Sequence, residues 1–420
     1  MKKKICILGL GYIGLPTAAM FATHGHKIVG VDVNNTVVSE LNKGKITIEE
    51  PYLDIMVQSA VKSGNLVARS TPEDADVFII AVPTPINKDK TADMSYVVSA
   101  TESIVPCLKK GNIVILESTS PPGTVENLLI PILEKSGLDV GRDLLVAHSP
   151  ERVLPGRILK ELEENNRIIG GVNQESCEAV KELYRTFVKG EIYLTTPTTA
   201  EMTKLMENTF RDVNIALANE LAKICESMKI NAWEVIELAN KHPRVNIHQP
   251  GPGVGGHCLA VDPWFIVEKQ PKTAKIIDLS RKTNDSMPTH VYDRIKEILS
   301  GIKDNKKVTI LGVTYKPNID DLRESPVLEL IDLLEQDDDI DISIFDPHVF
   351  TCKYIEKDMY NALKDSDLAV LAVNHDYFKN VDFQNMKGVM KTPNILDTRN
   401  FWSEDIVNDL GLDYYLLGKK

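Results

Sequence analysis

Short apolar runs that end in glycine or aspartate alternate with helical stretches along the first part of the chain. Residues 4–9 (KICILG) read as a buried parallel strand, being short, apolar and closed by glycine. A helix follows from about Gly14 to His24, and then a second strand, KIVGVD (27–32), ends in Asp32. The runs DVFIIAV (76–82), NIVILES (112–118) and DLLVAHS (143–149) repeat the pattern, with helical stretches between them. Such alternation predicts right-handed βαβ units and a parallel sheet.

From Thr199 the period changes. Residues 200–229 contain neither Gly nor Pro, and Met202, Leu205, Met206, Thr209, Ile215, Leu217, Leu221, Ile224, Cys225 and Met228 recur at helical spacing. A continuous helix of that length spans about 45 Å. A second helical segment (233–240), a loop rich in glycine and proline (250–263) and further helices to about 300 follow. After Gly301 the alternation returns: KKVTILG (306–312), a helix over 325–335, IDISIFD (340–346) and DSDLAVLAV (365–373). The last of these echoes DADVFIIAV (74–82). The expected fold class is therefore α/β, with two Rossmann-like parallel-sheet domains, 1–199 and 301–420, flanking a helical middle domain, 200–300, with a long spine helix. The apolar face of that helix exceeds what a lone middle domain needs, which predicts pairing across a twofold axis into a homodimer.

Composition narrows the function. At 420 residues the chain is too long for one compact core. A formal net charge of −12 fits poorly with nucleic acid or anionic lipid as partner. It leaves room for a small phosphorylated ligand, because a few local donors override the mean field. No run approaches the roughly 20 apolar residues of a bilayer span. The start, MKKK followed by ICILGLGYIGL, is too glycine-rich for a signal peptide and flows directly into a second strand. The six cysteines include no CxxC pair, which fits free thiols in a reducing cytoplasm. No metal-ligand spacing occurs among the nine histidines.

The segment Gly9-Leu10-Gly11-Tyr12-Ile13-Gly14 is a GxGxxG motif placed after a strand and opening a helix, the context that the motif requires. The glycines permit a tight turn, approach of a pyrophosphate and close helix–strand packing, and the helix N-terminus offers N–H donors to phosphate. Asp32 ends the second strand, where a carboxylate accepts both ribose hydroxyls and repels a 2′-phosphate. The expected cofactor is NAD, a flavin or a lone nucleotide being the alternatives. Val82-Pro83-Thr84-Pro85 and Glu117 to Thr124, which contains Thr119, follow strands and should border the cofactor.

Two further clusters carry candidate chemistry. Lys204, Asn208 and Arg211 stand at i, i+4 and i+7, on one helix face within about 60° of arc. A solvated stripe is the plainer explanation of that spacing. Cys258 lies in Gly255-Gly256-His257-Cys258, four residues before Asp262. Glycines leave a thiol open to attack from several sides, although a free cysteine is most often simply buried.

With these motifs assembled, GLGYIGLPTA, VPTP, ESTSPPGT, SPERVLPG, the Lys204–Asn208 helix, GGHC with Asp262, and GVTYKPNIDDLRESP, the chain to about residue 400 resembles the UDP-glucose/GDP-mannose dehydrogenase family. The resemblance implies NAD-dependent oxidation of the C6 alcohol of a nucleotide sugar to a carboxylate, with two NAD+ reduced. It implies that the Cys258 thiolate attacks the aldehyde, giving a thiohemiacetal and then a thioester that water hydrolyses. Lys204 matches the proton shuttle and oxyanion clamp, and Asn208 a donor to the same oxygen. Glu151 matches the carboxylate that activates water, Asp262 a second acid/base group, and Thr119 a residue that orders this water. The cofactor set is Gly9, Gly11, Tyr12, Ile13, Gly14, Asp32, Val82, Pro83, Thr84, Thr119 and Arg323. The substrate set is Glu151, Arg152, Val153, Leu154, Lys204, Asn208, Arg211, His242, Arg244, Gly255, Tyr315 and Lys316, with Arg244 reaching in from a second subunit and Arg399 a weaker candidate. UDP-glucose members usually carry Lys-Asp where this chain has Val261-Asp262, and serine or similar at His257. The sugar implied is therefore UDP-N-acetyl-D-mannosamine, with UDP-N-acetyl-D-glucosamine as the alternative. A two-electron hydroxy-acid dehydrogenase and a non-catalytic nucleotide-sugar sensor are the remaining readings. The first lacks a use for the second Rossmann-like domain, and the sensor has no reason to keep Cys258, Lys204, Asn208 and Asp262 together.

Overall fold

A computed structural model describes residues 2–303 and 305–420. The chain divides into two compact units, one running to Glu207 and including Glu268–Gln270, the other made of Asn208–Val267 and Pro271–Lys420.

In the first unit the strands are β1 (Lys4–Leu8), β2 (Lys27–Val31), β3 (Leu66–Arg69), β4 (Val77–Ile80), β5 (Ile113–Leu116), β6 (Leu145–His148), β7 (Arg167–Gly171) and β8 (Ile192–Thr195). They form one sheet in the order β3-β2-β1-β4-β5-β6-β7-β8. Alternate residues face opposite sides, and both sides are covered. Ile5, Ile7, Ile28, Ile79, Ile113 and Ile115 pack into one core, and Cys6, Leu8, Val29, Phe78, Ile80 and Val114 into another. Two buried faces explain why these strands read as unbroken apolar runs.

The sheet departs from the expected all-parallel arrangement at one step: β7 runs antiparallel to β6, pairing Ala147 with Gly171 and His148 with Gly170. An antiparallel neighbour needs no crossover back to the starting edge, and only the seven-residue helix Ile158–Glu164 lies between these strands. The glycines of β7 allow the tight packing that results: a Cβ on Gly171 would fall 2.6 Å from Cys177 Sγ.

The long helix spans Pro197–Met228, and so begins three residues before the gap in Gly and Pro suggested. Proline is tolerated there because its missing N–H has no partner in a first helical turn. Helices Ala232–Ala239, Asp262–Lys269, Lys275–Asp285 and Met287–Ile298 follow.

In the second unit β9 (Lys306–Leu311), β10 (Ile340–Phe345), β11 (Leu368–Leu371), β12 (Asn394–Asp397) and β13 (Asp413–Leu416) form a parallel sheet ordered β10-β9-β11-β12-β13. Its arrangement repeats β2-β1-β4-β5-β6. The echoing segments DADVFIIAV and DSDLAVLAV supply β4 and β11, each hydrogen-bonded directly to the first strand of its sheet. Among the described residues no helix is long and apolar enough to cross a membrane.

Candidate active site

The order β2-β1-β4 reverses direction beside β1, and ligands of doubly wound sheets bind beyond the carboxyl ends at such a point. The turn after β1 is built for that place. Gly9 adopts φ +91°, and a Cβ on it would lie 2.5 Å from the Ala81 carbonyl oxygen. A Cβ on Gly14 would overlap the Gly9 carbonyl oxygen, whereas around Gly11 nothing lies within 4 Å. The motif therefore closes a turn at its ends and leaves open backbone at its centre, which fits the pyrophosphate of a dinucleotide. Tyr12 is exposed and Ile13 half-buried in the same turn. Asp32 Oδ2 accepts from the Leu10 N–H at 3.0 Å and Oδ1 from the Asn34 N–H at 2.8 Å. Each oxygen keeps a lone pair, and the side chain is only half-buried, so ribose hydroxyls have acceptors. Ser118 Oγ donates to the Val82 carbonyl at 2.7 Å. This bond ties the loop of Thr119 to the loop of Val82, Pro83 and Thr84, which itself abuts Gly9.

The second sheet repeats the device with one difference. Gly312 adopts φ +87°, the Val313 N–H donates to Asp346 Oδ2 at 2.8 Å, and the His348 N–H donates to Asp346 Oδ1 at 2.8 Å. Here, however, the fully buried His375 Nε2 also meets Asp346 Oδ2 at 3.1 Å, and Asp346 is 2% exposed. This aspartate is sealed where Asp32 is presented, so the dinucleotide geometry belongs to the first sheet. His375 Nδ1 accepts from the Asn318 N–H at 2.9 Å, which fixes the loop that carries Tyr315 and Lys316.

Beside the carboxyl ends of β5 and β6 lies a buried ionic cluster. Arg167 donates from Nη1 to Glu151 Oε2 and from Nη2 to Glu117 Oε1, both at 2.8 Å. The loop after Glu151 is anchored at both ends. Glu151 Oε1 accepts from the Arg152 N–H at 2.8 Å, and Glu50 accepts from the Gly156 and Ile158 N–H groups, each at 2.7 Å. Arg152 itself pairs with Glu207 at 2.6 Å, Val153 is half-buried and Leu154 exposed. Lys204 is buried on the long helix.

In the second unit Asn208 Nδ2 donates to Asp262 Oδ2 at 2.6 Å, joining two predicted residues that are 54 positions apart. Cys258 is exposed, and its carbonyl accepts from the Asp262 N–H at 2.9 Å as the chain turns into helix Asp262–Lys269. The Tyr315 ring lies against the glycines before the thiol. A Cβ on Gly256, whose φ is +85°, would stand 2.7 Å from the ring, and one on Gly255 2.8 Å from Tyr315 Cβ. The loop hangs from the long helix by the Gly251 N–H to Asn219 Oδ1 bond, 2.9 Å. Arg399 donates from Nε to the Ala372 carbonyl at 3.0 Å and packs on Gly251, and burial pulls its guanidinium down to about 10. Arg211, His242, Arg244 and Lys316 are exposed. Arg323 pairs with Asp321 at 2.7 Å, and the cap of the following helix is Ser325, which accepts from the Val327 N–H.

The sequence reading missed Arg167, Tyr184 and the sealing pair Asp346–His375. The signal for Arg167 was an arginine opening the apolar strand RIIGG, a position at which a long cation is either solvated or buried against acids.

A presented aspartate after a GxGxxG turn defines a protein of the nicotinamide-dinucleotide-binding class, and the second unit carries an exposed thiol, Cys258, in the glycine loop before helix Asp262–Lys269. Comparison with known proteins narrows this class. Residues 3–188 match the NAD binding domain of the UDP-glucose/GDP-mannose dehydrogenase family, 198–286 its central domain and 309–404 its UDP binding domain. The chain belongs to this family. It is 50% identical to a UDP-N-acetyl-D-mannosamine dehydrogenase of Methanocaldococcus jannaschii, over 99% of this chain and 96% of that protein. It is 45% identical to an NDP-N-acetyl-D-galactosaminuronic acid dehydrogenase of Ralstonia solanacearum, over 96% of each. Among solved structures, the UDP-N-acetyl-mannosamine dehydrogenase from S. aureus superposes with a TM-score of 0.90 at 51% identity, covering 99% of both chains.

Proposed function

We propose that the chain oxidises the C6 alcohol of UDP-N-acetyl-D-mannosamine to UDP-N-acetyl-D-mannosaminuronate. The observation that carries this reading is the exposed Cys258 thiol in a glycine loop, at the head of the helix whose Asp262 is bonded to Asn208. An alcohol-to-acid oxidation needs a group that holds the aldehyde, and a two-electron dehydrogenase needs none.

Residues 1–199 hold the dinucleotide, residues 200–300 carry the dimer contact and residues 301–420 bind the UDP moiety. The Gly9–Gly14 turn, Asp32, the Val82–Thr84 loop, Thr119 and Arg323 would hold two NAD+ molecules in succession, and each would accept one hydride, one for each oxidation level. Lys204 and Asn208 face the reacting oxygen, Lys204 moving its proton and both donating to the charge that develops. The Cys258 thiolate adds to the aldehyde carbon to form a thiohemiacetal. Loss of hydride from that carbon leaves a thioester, and water cleaves the C–S bond to release the carboxylate and the thiol. Glu151, Thr119 and Asp262 order and deprotonate this water. Arg152, Val153, Leu154, Arg211, His242 and Gly255 line the sugar and diphosphate, and Tyr315 and Lys316 contact the uridine diphosphate. The test is NADH formation from UDP-N-acetylmannosamine, UDP-N-acetylglucosamine, UDP-N-acetylgalactosamine, UDP-glucose and GDP-mannose side by side. UDP-N-acetylmannosamine is expected to give the highest kcat/KM, by at least about 10-fold. Preference for another of the five overturns the sugar assignment. Preference for UDP-N-acetylglucosamine selects the alternative reading.

The functional unit is a homodimer paired through the long helix, with Arg244 donated to the partner's sugar site. Phe210, Leu217, Ile224 and Met228 support this, because all four are exposed and fall within about 40° of arc on that helix. Light scattering at micromolar concentration should give twice the 46.8 kDa chain mass, and a monomer overturns the pairing. The six cysteines form no disulfide, which favours the reducing cytoplasm as its compartment.

A further inference from the structure

The step at which the first sheet breaks its parallel rule is where an unassigned residue enters the site. Strand β7 pairs antiparallel with β6 at Ala147–Gly171 and His148–Gly170. Continuing that register beyond β6 sets position 151 opposite position 167. A parallel strand in the same place would have opened at the amino edge of the sheet, away from the cofactor turn. Because β7 is reversed, its first residue, Arg167, stands at the carboxyl edge, beside the ends of β5 and β6.

What Arg167 does there is specific. Its guanidinium donates in three directions: Nε to Ser149 Oγ at 2.9 Å, Nη1 to Glu151 Oε2 at 2.8 Å and Nη2 to Glu117 Oε1 at 2.8 Å. It lies 3.7 Å from the centre of the Tyr184 ring, and the Tyr184 hydroxyl donates to the same Glu117 oxygen at 2.5 Å. The Arg167, Glu117 and Glu151 side chains are 4%, 0% and 7% exposed, so none of these bonds is shared with bulk water. The fork presents its N–H groups from three separate nitrogens in one plane, a spread that a lysine ammonium, with its three donors on one atom, does not reproduce. Burial pushes the Glu117 carboxyl up, and Arg167 opposes that rise. Glu117 thus serves as the fixed counter-anchor that orients the fork.

We propose that Arg167 is a positioning residue for thioester hydrolysis, held by Glu117, Ser149 and Tyr184 so that it fixes the carboxylate of Glu151 toward the water. Glu151 spends one acceptor position on Arg167 and one on the Arg152 N–H, leaving about two of its four for that water. This inference rests on the hydrolytic role given to Glu151 above. A purely structural Arg167, which merely neutralises two buried acids, has a different signature.

The test compares Arg167→Met, Arg167→Lys, Glu151→Gln and the double variant Arg167→Met/Glu151→Gln during turnover with UDP-N-acetylmannosamine and NAD+. Samples are quenched in acid and the intact protein is weighed. Arg167→Met should lower kcat about 100-fold, within about threefold of Glu151→Gln, and the double variant should be no worse than either single one by more than about threefold. Both single variants should accumulate protein carrying the sugar nucleotide on Cys258, which the parent does not. If Glu151→Gln accumulates this adduct while Arg167→Met slows without it, or keeps the parent rate, the positioning role is overturned and the hydrolytic reading stands. If Glu151→Gln does not accumulate it, the reading of Glu151 fails and takes this inference with it. If Arg167→Met does not fold, Arg167→Lys decides: about a 10-fold slower kcat with adduct supports the role, and parent-like turnover overturns it.

Discussion

A Cys258→Ser variant is expected to lose acid formation by at least about 10³-fold while folding and binding NAD as the parent does. Cys258 is exposed, and serine keeps a donor and an acceptor at the same atom, so the exchange opens no cavity. The effect is chemical. A free thiol ionises near 8.5, within reach of neutral pH when a cation stands near, whereas an alcohol hydroxyl does not ionise in that range. The serine variant should therefore stop at the aldehyde level, releasing little more than one NADH for each sugar consumed. Chromatography of the products against authentic uronate checks this. Uronate formed at the parent rate would remove the covalent intermediate from the account.

The second large effect is expected at Gly14. Any Cβ there overlaps the Gly9 carbonyl oxygen, and that backbone atom cannot yield as the end of a flexible side chain could. Gly9 is itself confined by Ala81 and by its positive φ, so the strain passes into the turn that meets the pyrophosphate. Gly14→Ala should weaken NAD binding at least about 100-fold, a loss of about 2.7 kcal/mol. It should also cost about 1–3 kcal/mol of stability through overpacking. Titration calorimetry with NAD+ on the folded variant decides the point, and an affinity within threefold of the parent contradicts the assignment of the turn.

How much of this was legible in the sequence depended on range. The turn after β1 and Asp32 could be read because their function is local, a glycine pattern between a strand and a helix. The central strands could be read because two buried faces leave only apolar residues in them. Strands β3 (LVAR), β7 (RIIGG), β8 (IYLT), β12 (NILD) and β13 (DYYL) escaped, being short and either mixed in polarity or broken by glycine. The direction of β7 could not be read at all, because RIIGG has the same pattern whichever way it runs. Its reversal is what brings Arg167 beside Glu117 and Glu151. In the same way, the Asn208–Asp262 bond joins residues separated by a loop and two helical segments, and neither side chain announces the other. The echo of DADVFIIAV in DSDLAVLAV marked a repeated sheet, but it could not show that His375 seals the second aspartate.

The central claim is that one active site carries an alcohol through the aldehyde to the acid on a protein sulfur. Counting NADH released per molecule of UDP-N-acetylmannosamine exhausted, with the uronate quantified in the same sample, tests it most directly. The account predicts two NADH and one uronate per sugar. One NADH per sugar, with free aldehyde as the end product, would contradict it.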